Sequence, residues 1–154
     1  MRPMQSLLAS PENAGALLYL AHGRPAGEAG FGPPDSDVDR GRLGSNPAVV
    51  DRLWDTLNAG LPADARWLVF DSAALVHPAS GVILAAAIGT QYALRLLPEH
   101  RAVAVAAGAE LAHTFRTVGT TLELPETFGP EWVFGAWDER EPAWLRASYE
   151  NVSL

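Results

Sequence analysis

The chain has 154 residues, a formal net charge of −7 and no cysteine. All 11 of its Lys and Arg positions are arginine. These facts exclude thiolate nucleophiles, disulfides and Cys-ligated zinc, and with them Schiff-base, pyridoxal-phosphate and P-loop lysine chemistry. The acidic balance also argues against nucleic acid, since phosphate binding needs a basic stripe.

A chain of this length makes one domain, burying roughly 70% of the surface that it exposes when unfolded. Richness in Ala, Gly, Pro and Arg without Lys is the composition of a GC-rich bacterial genome. Polar residues Ser10 to Asn13 interrupt the first apolar run, so neither a signal peptide nor a membrane span is expected. The expected location is cytoplasmic, with no cofactor and no membrane partner.

In chain order, Ser10 and Pro11 read as the cap and first residue of a short helix through Ala14, Leu17, Leu18 and Leu20, closed near Gly23. Residues 23 to 47 hold 10 Gly or Pro and little apolar mass, which reads as a flexible arm. Asn46 and Pro47 then open a helix, and Gly60 and Pro62 stop it. Val49, Val50, Leu53, Trp54 and Leu57 line one of its faces.

Three strands are expected next: "RWLVFDSAALVHP", "GVILAAAIG" and "YALRLL", separated by the turns "HPASG" and "GTQ". In the third, Tyr92, Leu94 and Leu96 alternate with Ala93 and Arg95, as in a strand with one wet face. "PEHRAVAVAAGAEL" predicts a helix opened by Pro98, with Gly108 as a candidate stop. Two strands, "GTTLELP" and "EWVFGAW", and a closing helix, "EPAWLRASYENV", complete the chain.

The expected class is α+β: an antiparallel five-stranded sheet, a three-strand meander plus a two-strand pair, with helices on one face. Residues 1–46 form an N-terminal helix and arm, and 47–154 a single compact domain. The order from Pro47 onward, helix, three strands, helix, two strands, helix, resembles the class I type III secretion chaperones and their relatives. Those are small acidic α/β proteins that dimerise and hold partner chains. The resemblance lies in element order, so no functional residue is carried over from it.

Four groups of residues invite chemistry. Asp35, Asp37 and Asp39 alternate like the first half of a calcium loop. Counted from Asp35, however, the sixth position is Arg40 instead of Gly, and the twelfth is Asn46 instead of a bidentate Glu. A solvated acidic loop is the simpler reading. Glu110 and His113 make half of a di-iron motif, but no second Glu-x-x-His exists. Glu99 would lie about 16 Å away along a helix, too far to share a metal.

His77 with Asp71, and Ser72 or Ser80 as nucleophile, is the third group, although "HPASG" has the composition of a turn. Last, Trp132, Phe134, Trp137 and Tyr92 form an aromatic set suited to a protein partner, with Trp132 and Phe134 on one strand face and Val133 on the other. A sheet face left free of helices would dimerise or receive that partner. The leading expectation is a non-enzymatic protein-binding module, a homodimeric chaperone, adaptor or immunity protein. The alternative is a small enzyme or ligand-binding domain with His77 and Asp71 in a pocket between sheet and helices.

Overall fold

Tight two-residue turns and apolar runs assemble one sheet. A computed structural model describes residues 7–21, 31–34, 45–111 and 129–152. Its strands are β1 (Arg66–Val69), β2 (Ser72–Val76), β3 (Ile83–Ile88), β4 (Gln91–Arg95) and β5 (Trp132–Phe134). They form an antiparallel five-stranded sheet in sequential order. The helices are α1 (Ala14–Ala21), α2 (Pro47–Asp51), α3 (Pro98–Ala106) and α4 (Glu141–Val152). The fold is α+β, as the patterning indicates.

The strands are divided differently from the sequence reading. "RWLVFDSAALV" is a hairpin, β1 and β2, because Phe70 and Asp71 both take positive φ (50° and 61°) between the paired residues Val69 and Ser72. That is the mirror-image turn whose twist suits a hairpin. The meander therefore has four strands. The strand expected at "GTTLELP" lies outside the described residues, as do Asp35, Asp37, Asp39 and His113.

Asn46 caps α2 as expected, its side chain accepting from the Ala48 amide at 2.9 Å. Beyond α2 the turns first widen (Arg52–Thr56) and then tighten (Leu57–Gly60), while Val49, Val50, Leu53, Trp54 and Leu57 stay buried. α3 ends at Ala106, and Gly108 leaves it with φ of 113°. Glu110 is thus not helical; it bridges to Phe134 along the outer edge of β5.

Helices α2, α3 and α4 share one face of the sheet. There Val50, Leu53, Trp54, Trp144 and Leu145 pack on Leu75, Leu84, Tyr92, Leu94 and Val133. The opposite face is not open. Leu7, Ala16 and Leu20 of the N-terminal segment cover Val69, Val76, Ile83, Trp132 and Phe134. Ala93 and Arg95, expected on a wet face, are accordingly buried. Each fully buried Leu or Phe contributes about 1.5–3 kcal/mol, so an apolar N-terminal helix beside an apolar sheet has reason to cover it.

Polar ties fix this cover. The buried Asn13 donates to Leu7 O (2.7 Å) and Gly81 O (2.8 Å), and it accepts from the Ile83 amide (2.8 Å). Gly32 bridges to Leu68 along the outer edge of β1. Both faces and both edges of the sheet therefore carry cover of some kind.

Candidate functional site

The sequence brings together few of the residues it suggests. Asp71 sits exposed in the β1–β2 turn, and His77 follows the far end of β2, roughly 20 Å away at about 3.3 Å per strand residue. Ser72 is at the Asp71 end. Ser80 is near His77, but it gives the His77 Nδ1 its backbone N–H (3.1 Å), while its Oγ accepts from the Val82 amide (3.3 Å). The His77 ring is buried, stands 4.7 Å from that of Tyr149, and has its pKa lowered by burial. No acid–base relay joins His77 to Asp71. Among the described residues no group of three or more His, Asp or Glu is placed to hold a metal, and Glu99 and Glu110 are exposed and apart.

The aromatic set divides in the same way. Tyr92, Trp132 and Phe134 are interior side chains, because the N-terminal helix or α2 and α4 cover both sides of their strands. Trp137 alone is presented to solvent, at 49% exposure. It occupies the left-handed region (φ 61°), which a bulky side chain rarely enters.

What holds Trp137 there is a buried polar cluster at the β5–α4 corner. Glu141, the first residue of α4, is 1% exposed. Its Oε1 accepts from the Tyr92 hydroxyl (2.5 Å) and from Arg52 Nη2 (2.6 Å), and its Oε2 accepts from the Ala136 amide (3.1 Å). The Tyr92 Oη in turn accepts from the Trp137 amide at 2.8 Å. Burial, and then the Glu141 carboxylate, push the Tyr92 phenol well above its ordinary pKa, so it remains a donor. The Trp137 ring meets that of Tyr92 edge-on at 5.3 Å, with the Arg52 guanidinium 5.7 Å from its centre. Gly135 is required beside them, since a Cβ would run into the Tyr92 ring.

At the other end of β4 lies a cleft of about 630 Å³, within the usual range for small-molecule sites. Ser10 and Glu12 ahead of α1, Ser80, Arg95, Arg101 of α3, Glu131, and Ser148 and Asn151 of α4 line it. Arg95 is buried. Its Nε donates to Ile83 O (2.9 Å) and its Nη2 to Glu12 O (2.7 Å), while Nη1 stands 3.8 Å from Glu131 Oε2. Burial lowers the Arg95 pKa, against the pull of Glu131 and Glu12.

No protein-family model, no curated protein and no solved structure matches this chain. The features at both ends of β4 therefore stand on their own geometry. Sequence reading missed Asn13, Arg52, Arg95, Glu141 and Ser148 as site-forming residues. Arg95 and Glu141 carried a faint signal: one is a charge inside an apolar strand, and the other opens a helix directly after a Trp-rich turn.

Proposed function

We propose that the chain is a non-enzymatic protein-binding module of the chaperone, adaptor or immunity type, working as a homodimer in a bacterial cytoplasm. One observation carries this reading: Trp137 is held half-exposed, in a costly backbone conformation, by a rigid buried cluster. Tryptophan is the side chain most enriched at binding hot spots. Strain maintained by surrounding structure clusters at ligand clamps and switch regions. A ring already fixed in place loses little freedom on binding, so more of its contact energy appears as affinity.

The covered sheet moves the expected contact from the sheet face to the β5–α4 corner. The test is affinity capture from the native host with wild type and Trp137→Ala side by side. Wild type is expected to retain a stoichiometric protein that the variant loses, while both keep the same circular dichroism. Equal retention by the two, or none by either, contradicts the reading. Light scattering on the purified chain checks the dimer, and a monomer mass at high micromolar concentration would remove it.

A further inference from the structure

The cleft at the end of β4 differs from ordinary surface concavities in the polar groups it leaves without partners. Ser148 is 2% exposed, and its Oγ has no hydrogen-bond partner. A buried hydroxyl in that condition is costly to the fold, and native proteins seldom keep one without a use. The half-buried Arg101 makes no ion pair among the described residues.

Arg101 also stands in the first turn of α3, where the helix dipole disfavours a cation. Behind it Arg95 is a buried cation whose nearest carboxylate, at 3.8 Å, is too far for a hydrogen bond. The orphaned Ser148 hydroxyl, the Arg101 guanidinium and the Arg95 side chain line one cleft. Each of them is a donor, and the missing partner is an acceptor with negative charge.

We infer that this cleft binds a small organic acid, taking its carboxylate between Arg101 and the Ser148 hydroxyl. This goes beyond the partner reading, which concerns the opposite end of β4. The carboxylates of Glu12 and Glu131 share the lining. They repel a phosphate dianion more than a single carboxylate, which sets the ligand class.

The test uses the full chain, with the monocarboxylate propionate as the probe, inorganic phosphate as the competing oxyanion and chloride at matched ionic strength. Propionate is expected to raise Tm saturably. Arg101→Gln should weaken its binding about tenfold, the worth of one charged hydrogen bond. Ser148→Ala should weaken it several-fold while raising the Tm of the ligand-free protein, a pairing that a purely structural serine would not give. The inference is overturned if chloride reproduces the propionate shift, if phosphate saturates the site and propionate does not, or if both variants bind propionate like wild type.

Discussion

The two ends of β4 treat buried polarity differently. At its start, the Tyr92 hydroxyl, both Glu141 oxygens and the Trp137 amide are partnered within the protein, while Arg52 Nε and Gln91 Oε1 are left over. At its end, the buried Ser148 hydroxyl has no hydrogen-bond partner, and the half-buried Arg101 makes no ion pair among the described residues. A closed network fixes geometry and has little to gain from a further ligand. An open one costs stability until something completes it. That difference underlies both proposals: the corner as the fixture that presents Trp137, and the cleft as the receptor.

That contrast breaks most readily at Glu141. Glu141→Ala strands the Arg52 charge, the Tyr92 hydroxyl and the Ala136 amide together, and removing one member of a buried pair costs about 3–5 kcal/mol. Urea denaturation with an unchanged m-value measures the loss, and a cost below about 1 kcal/mol would show that the corner is no clamp.

A smaller effect sharpens the claim of strain. Trp137→Gly and Trp137→Ala lose the same ring, but only glycine takes φ of 61° freely. The glycine variant is expected to be more stable by about 1 kcal/mol. Equal midpoints would mean that the corner stores no strain at that residue.

The smallest effect is pH dependence at the cleft end, where His77 is held neutral. Burial lowers its pKa, and its Nδ1 accepts a hydrogen bond that a protonated nitrogen would not. The unfolded chain then takes up a proton at higher pH than the folded one. Stability is full above the unfolded pKa of about 6.5 and declines as pH falls through it towards the folded value. His77→Asn should lose less stability than wild type between about pH 7 and about pH 5. Identical slopes would contradict the assignment.

How far the sequence carries can be judged residue by residue. Apolar periodicity finds the helix faces of 47–60 and 141–152 and places Trp132 and Phe134 opposite Val133, because burial acts on every residue of an element. The β1–β2 hairpin escapes it, since Phe70 and Asp71 adopt a turn for which the sequence offers no Gly or Asn. The sheet's second face escapes it too. A short apolar helix at residues 14–21 reads equally well as free or docked, and Asn13, whose bonds dock the segment, looks like any turn residue.

Sites are harder still. His77 and Asp71 draw attention by residue type, yet β2 holds them apart. Ser148 is conspicuous only for a partner it lacks, and no periodicity records a missing bond.

The ligand-free stability of Ser148→Ala tests the contrast between the two ends most directly. If the cleft keeps an unsatisfied hydroxyl for a ligand, deleting it should raise the free energy of unfolding by about 1 kcal/mol in equilibrium denaturation. A loss of about 1 kcal/mol or more would mean that the hydroxyl is satisfied inside the fold, and that the cleft is as closed as the corner.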